Sequence, residues 1–266
     1  LLVGRQVASF YEGAVAWLSY ADRLYQLPLG VVGIAVGVVL LPDLSRRLRA
    51  GDTAGGRNAF NRAAEISLAL TIPAAVALCV IPIQLVSVLF ERGAFGADDT
   101  KATALAVAVY GLGLPSFVLQ KALQPLFFAR EDTRRPFYFA LASLAVNAVI
   151  AVGLMPYLGF IAAAIGTTMS GWASVALLWV ASRRMGVAAT TDRRFRARVW
   201  RILLASALMG ALLWVAAQAL GPFLDLPTLR YGALAVLVGT GLAGYFGIGQ
   251  IVGAFQLSDI RAALRR

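Results

Sequence analysis

Residues 136–182 read PFYFALASLAVNAVIAVGLMPYLGFIAAAIGTTMSGWASVALLWVAS, 47 positions without a single charged side chain. A bilayer core about 30 Å thick takes ~20 apolar residues per spanning helix, so this run is too long for one helix and suits two. The segment Met155-Pro156-Tyr157-Leu158-Gly159 supplies the turn, because Pro and Gly punctuate a helix where the chain reverses. A transmembrane β-strand would alternate apolar and polar residues over about ten positions, and this solidly apolar run does not. The fold class that follows is all-α.

The same test applied outward finds charge-free runs at Leu24–Pro42, Ile66–Phe90 and Ala102–Gln120. Two more run from Ile202 to about Leu220 and from Tyr231 to about Gly253, separated by Gly221-Pro222 and Leu226-Pro227. Leu1 to about Leu18 is apolar enough for another, giving a polytopic bundle of about eight transmembrane helices. Because the chain opens on Leu1 without an initiator Met, further sequence is expected upstream. Composition agrees: 60% of residues are hydrophobic and 14% charged, against about 25% charged in soluble domains. A signal peptide has one short apolar core, whereas here the hydrophobicity recurs along the whole chain. Cys79 is the single cysteine, so no intramolecular disulfide forms.

The net charge of +11 invites a nucleic-acid reading, but the placement of the charge opposes it. Of the 24 Lys and Arg, 18 fall in four segments: 45–62, 130–135, 183–201 and 261–266. The alternate loops hold only Arg92, Lys101 and Arg230. This is the positive-inside pattern, which assigns the four basic segments, and with them the C-terminus, to the cytoplasm. Attraction to anionic lipid then accounts for the charge, and no nucleic-acid partner is expected.

Arg5, Arg23 and Lys121 remain, all inside apolar segments. With the outer boundary placed near Trp17, Arg5 sits ~18 Å deep at 1.5 Å per residue, and Arg23 roughly one turn from the end of its helix. Lys121 lies about 14 Å from Arg130 by the same rise. Intramembrane cations face a partner or a water-filled cavity, and a cavity lined by several attracts an anionic substrate. Catalytic chemistry is poorly provided for. There is no His, no phosphate-binding Gly-x-x-x-x-Gly-Lys-Ser/Thr loop, and no evident intramembrane acid–base pair. Neither an enzyme nor a cofactor or metal is expected. Prolines 28, 73, 82, 115 and 125 predict kinks or broken turns.

The stretch Trp17-Leu18-Ser19-Tyr20-Ala21-Asp22-Arg23-Leu24, then Leu27-Pro28 and Gly30 through Ser45 with Leu40-Leu41-Pro42-Asp43, resembles the MurJ (MviN) family. So does Lys121-Ala122-Leu123-Gln124-Pro125 with Phe128-Ala129-Arg130-Glu131-Asp132-Thr133-Arg134-Arg135-Pro136, and the loop Leu89-Phe90-Glu91-Arg92-Gly93-Ala94-Phe95. The match is specific to about residue 185. Beyond it, the likeness rests on the order, length and hydropathy of the last two helices.

The resemblance implies a fourteen-helix transporter of two pseudosymmetric lobes plus two appended helices, of which this chain corresponds to the second lobe and the appended pair. Residues 1–185 would be the lobe, 186–201 a basic cytoplasmic loop, and 202–266 the additional helices and a basic tail. It implies flipping of lipid II, the undecaprenyl-pyrophosphate-linked peptidoglycan precursor, by alternating access in the bacterial inner membrane. The partners would be lipid II, the bilayer and the missing N-terminal lobe, with the membrane potential or an ion gradient as driving force. Arg23 matches a cavity arginine that the family needs, Lys121 matches a family lysine, and Asp22 adjoins Arg23 in the motif. Arg23, Arg5, Lys121 and Asp22 are therefore the expected substrate-binding residues, since a pyrophosphate calls for Arg or Lys. Asn147 and Thr167 could supply oxygens to a cation site. Gly4 and Ala151 stand where carboxylates would be expected, so such a site lacks the anionic oxygen a hard cation prefers; separately, Gln26 stands where many relatives have an acid, so any role of that carboxylate does not carry over. The competing readings are another lipid-linked oligosaccharide or polysaccharide flippase, a drug exporter, which should line its cavity with acids, and a membrane-embedded transferase.

Overall fold

The computed structural model describes Gly4, Gln6 and residues 8–186, 189–226 and 228–254, apart from the side chains of residue 31 and residues 33–41. Among the described residues every regular element is helical. Helical backbone at Gly4, Gln6 and Ala8 leads into a tight reversal closed by Tyr11 N–H on the Ala8 carbonyl and Ala14 N–H on the Tyr11 carbonyl. Gly13 takes the left-handed conformation (φ 78°) that this reversal needs. From it rises α1, Ala14–Arg49, which carries Pro28 and Pro42 inside the helix.

The boundary before α1 is thus at residues 9–13, earlier than the one inferred near Trp17. Trp17 is apolar enough for a span and polar enough for its edge, so hydropathy alone misplaces the turn. Arg23 consequently lies about 14 Å along α1, some two and a half turns from Ala14, and not one turn. Arg5 itself falls outside the described residues.

Asp52 caps α2 (Thr53–Val80) by accepting from the Gly55 N–H at 2.7 Å. The expected span Ile66–Phe90 is broken: Ile81 leaves helical geometry, and Pro82 starts the short α3, Pro82–Phe90. Proline lacks an N–H and disfavours the helical conformation in the residue before it, which places the break there. Next comes α4 (Ala97–Phe128), whose Asp99 carboxylate accepts from the Gly96 N–H. Then follow α5 (Arg134–Leu158) and α6 (Ile161–Ser182), joined at Gly159, φ 60°. Pro156 stays inside the last turn of α5, so the reversal is narrower than the five-residue turn expected. After a short 3-10 turn at Arg183–Met185 the chain reaches α7 (Arg193–Leu224) and α8 (Arg230–Val252). Residues 193–201, expected as loop, form the first turns of α7 because Asp192 caps it through the Phe195 N–H. Six of these helices, α2 and α4 to α8, have the length and apolarity to cross a membrane.

The hub is α4, which packs on α1, α2 and α6; α5 leans on α6, and α7 joins the bundle through α2 with α8 beside it. Helices in lipid gain little from the hydrophobic effect and associate through close packing, which small residues permit. A Cβ at Gly111 would lie 3.2 Å from the Ala75 carbonyl oxygen, and one at Gly166 would lie 3.0 Å from that of Asn147. Outward positions such as Val149, Val152, Trp214 and Val236 stay exposed, as a lipid-facing surface requires.

The two sets of loops gather at opposite ends. At the basic end Asn61 donates to the Thr190 carbonyl, Arg130 to that of Met185 and Arg201 to that of Gly253. At the other end Trp17 Nε1 donates to Asp99 at 2.7 Å, Tyr11 reaches the Met155 carbonyl and Arg230 that of Glu91.

Candidate functional site

Arg23 is exposed, with its guanidinium carbon 5.7 Å from the Tyr20 ring centroid. One turn further on, Leu27 is 68% exposed and shares that face, since positions i and i+4 of a helix are neighbours. Leu24, Leu27 and Pro28 form one wall of an apolar groove of about 360 Å³, whose other walls include Leu70 and Pro73 of α2 and Leu242 and Phe246 of α8. Arg23 does not line this groove; it stands one helical turn from Leu27, which does.

Lys121 is also exposed, on α4. Tyr25 of α1 packs against Tyr110 of α4 with ring centroids 5.1 Å apart and planes tilted by 44°, which sets these two residues at the same level of the two helices. Arg23 lies two residues before that contact and Lys121 eleven after it, a separation of ~20 Å along the parallel helices. The fold thus places the two cations at different depths.

Asp22 faces away from its neighbour Arg23. It is 7% exposed and looks into the bundle, toward a small cavity lined by Gly4, Leu18, Ser19, Tyr110, Ala163 and Thr167. Successive helical residues diverge by about 100°, and Leu18, Asp22 and Tyr25 follow the i, i+4, i+7 spacing of one buried stripe. That spacing was the available signal that Asp22 and Arg23 serve different surfaces.

Asn147 and Thr167, twenty residues apart on α5 and α6, do come together. The Asn147 amide donates to Thr167 Oγ1 at 3.3 Å, and that hydroxyl donates to the Ala163 carbonyl at 3.0 Å. Asn147 Oδ1 is buried without a hydrogen-bond partner. The pair offers neutral oxygens only; Gly4 and Ala151 add no side-chain oxygen, and the carboxylate bordering Thr167 is Asp22 from α1. Among the described residues no three His, Cys, Asp or Glu cluster as metal ligands would.

At the basic end a charged and polar staple joins α2 to the start of α7. Asn61, fully buried, donates to the Arg57 and Thr190 carbonyls and accepts from the Asp192 N–H. Arg62 bridges Glu65 and Asp192, and Arg198 reaches Glu65 at 3.3 Å. Burial pushes the Asp192 carboxyl up, but the Phe195 N–H and the Arg62 guanidinium outweigh it and hold the group below the usual carboxylate range. Sequence reading assigned these residues, Glu65 apart, only to positive-inside loops. Nothing local in the sequence pairs 57–65 with 190–198.

The described residues thus form a helical bundle with six helices long and apolar enough to cross a membrane, exposed cations on two of the helices and an apolar side groove, which is the architecture of a polytopic membrane protein. The profile of "Lipid II flippase MurJ" matches residues 1–226. The chain is 44% identical over 269 residues to a probable lipid II flippase MurJ of Rhizobium meliloti (strain 1021) and 40% identical to one of Rhizobium tropici; each alignment covers 100% of this chain and 50% of the relative. A solved structure, "Lipid II flippase MurJ, inward closed conformation", superposes with a TM-score of 0.77 at 25% identity, covering 94% of this chain and 49% of that one. The chain belongs to the MurJ lipid II flippase family, and it spans about half the length of the relatives it matches.

Proposed function

We propose that this chain is one half of a transporter that moves lipid II from the cytoplasmic to the outer leaflet of the bacterial inner membrane, for cell-wall synthesis. The observation that carries the reading is an exposed arginine, Arg23, one helical turn from Leu27 in the wall of the apolar groove. The guanidinium can pair bidentately with a pyrophosphate. The groove can shelter part of a polyprenyl tail while the rest remains in the bilayer.

The basic end faces the cytoplasm on this reading, by the positive-inside rule. Lys121 then lies nearer the cytoplasmic mouth and Arg23 deeper, so the two engage the anionic headgroup in succession. The N-terminal half of the full-length protein supplies the opposite wall of the central cavity. Transport draws on the membrane potential, worth ~2.3 kcal/mol per charge per 100 mV, or on an ion gradient.

In the full-length protein, Arg23→Ala is expected to abolish rescue of a flippase-depleted strain while membrane insertion is retained. Normal growth with that variant would remove Arg23 from the mechanism. Depletion of the protein should also accumulate lipid II in the inner leaflet. Accumulation of a different polyprenyl-linked glycan would instead assign the chain to a related oligosaccharide or polysaccharide flippase.

A further inference from the structure

The end of the bundle away from the basic segments carries Arg92, Lys101 and Arg230, cations that the positive-inside pattern leaves unexplained. Lys101 pairs with Asp98 at 3.3 Å. The other two converge. Arg230, on the first turn of α8, donates through Nη1 to the Glu91 carbonyl at 3.3 Å and through Nη2 to the Tyr231 hydroxyl at 3.2 Å. Its guanidinium carbon lies 5.0 Å from the Tyr231 ring centroid. Arg92, in the loop after α3, is exposed and approaches the same hydroxyl. Two like charges thus meet around one neutral oxygen, which Coulomb repulsion opposes unless an anion joins them. Among the described residues no carboxylate does so: Glu91 accepts from Thr100, Asp99 from Trp17, and neither arginine forms an ion pair.

We propose that Arg92, Arg230 and Tyr231 form a seat for the phosphate of an anionic phospholipid, of the phosphatidylglycerol type, in the outer leaflet. A guanidinium has five N–H donors and Arg230 uses two, so both arginines keep donors for phosphate oxygens. The Tyr231 hydroxyl, which accepts from arginine, has its own proton to donate. A zwitterionic head would bring an ammonium group against two guanidiniums, so a lipid of net negative charge is preferred.

The surroundings favour a lipid over a free ion. Phe223, Leu226 and Leu229, on the chain leading into α8, are large hydrophobics left exposed beside the cations. Tyr231 is itself half exposed, and tyrosine suits the boundary where headgroups meet apolar chains. A phosphate held here ties the loop after α3 to the first turn of α8 and so braces the last helix against the bundle. The outer leaflet follows from the positive-inside assignment. The seat itself needs only a chain that spans a bilayer, and it stands apart from the transport reading.

The test uses full-length protein in nanodiscs of mixed phosphatidylglycerol and phosphatidylcholine, with a photoreactive benzoylphenylalanine in place of the exposed Leu229. After irradiation, mass spectrometry of the peptide that carries it reads which lipid was captured. Phosphatidylglycerol is expected in excess of its share of the bilayer. That preference should fall about fivefold in Arg92→Gln, the loss of one interfacial cation. It should persist in Lys101→Gln and largely persist in Arg92→Lys, which keeps the charge and so separates binding from folding. Capture in proportion to bilayer composition overturns the proposal, as does an undiminished preference in Arg92→Gln or an equal loss in Arg92→Lys. Equal loss in Lys101→Gln also overturns it, since diffuse surface charge would then suffice. Inorganic phosphate in excess should not displace the lipid; displacement would make the seat one for a free ion and end the lipid assignment. None of these outcomes touches Arg23 or lipid II, which the depletion experiment tests.

Discussion

Asn61 carries more of the tertiary structure than its polar side chain suggests on a membrane helix. Its amide satisfies two carbonyls and one N–H at a fully buried position, two of those groups belonging to the segment before α7. Asn61→Ala would leave the Thr190 carbonyl and Asp192 N–H without this partner, at a cost of roughly 1–3 kcal/mol for an unsatisfied buried group. The expected result is a lower melting temperature in detergent and faster proteolysis of the link before α7, with the rest of the bundle intact. Asp192, next to it, sets a pH dependence. Its folded-state pKa lies below the unfolded value, so its stabilisation is present above the unfolded pKa and lost as pH falls through the folded one. Acidification through the carboxylate range should therefore loosen α7 from α2. A cysteine cross-link between these helices that forms equally well at neutral and acid pH would count against that role. The sequence pointed to neither residue, because each acts through partners some 130 positions away.

Helices and their ends show how far local signals reach. Asp52 and Asp192 cap helices as their residue type favours, and Pro82 breaks the span that hydropathy reads as continuous. The start of α1 was misread because Trp17 suits both a span and its edge, and only the Gly13 turn settles the matter. Close approaches between elements depend on single glycines. A Cβ at Gly166 would meet the Asn147 carbonyl oxygen at 3.0 Å and the Ala151 nitrogen at 3.2 Å, both backbone atoms that cannot swing away. Gly153, on the neighbouring helix, has nothing within 4 Å of such a position. Gly166→Ala should thus destabilise by about 1–3 kcal/mol through overpacking, while Gly153→Ala should leave stability unchanged or slightly raised, as helix propensity predicts. Thermal unfolding of the two variants in the same detergent checks the contrast.

Across the whole molecule, α1 turns two oppositely charged residues toward different surroundings. Its exposed face carries Arg23, one turn from Leu27 in the groove made with α2 and α8, and its buried face carries Asp22, which borders the small cavity shared with Tyr110 of α4 and Thr167 of α6. The packed Tyr25 and Tyr110 also place Arg23 and Lys121 at depths ~20 Å apart. Sites so far apart usually act independently, with effects that add to within about 0.3–0.5 kcal/mol. Arg23→Gln and Lys121→Gln should then lower transport by factors that multiply in the double variant. A double variant no worse than the more severe single one would mean that both cations hold the same anion at the same time.

What the sequence by itself determined is the helical membrane class, the number of spans to within a break and a boundary, and the alternation of basic and non-basic ends. These are properties of runs along the chain, and a bilayer reads them one segment at a time. The family was legible as well, from contiguous motifs around Asp22-Arg23 and Phe128 to Pro136. Only the tertiary structure decided that Asp22 borders one small cavity with Thr167 and Tyr110 while Arg23 turns outward, and that Asn61 holds the segment before α7. Which side chains meet depends on the rotation and register of packed helices. Those are set by contacts between residues far apart in sequence, such as Tyr25 with Tyr110 and Gly166 with Asn147.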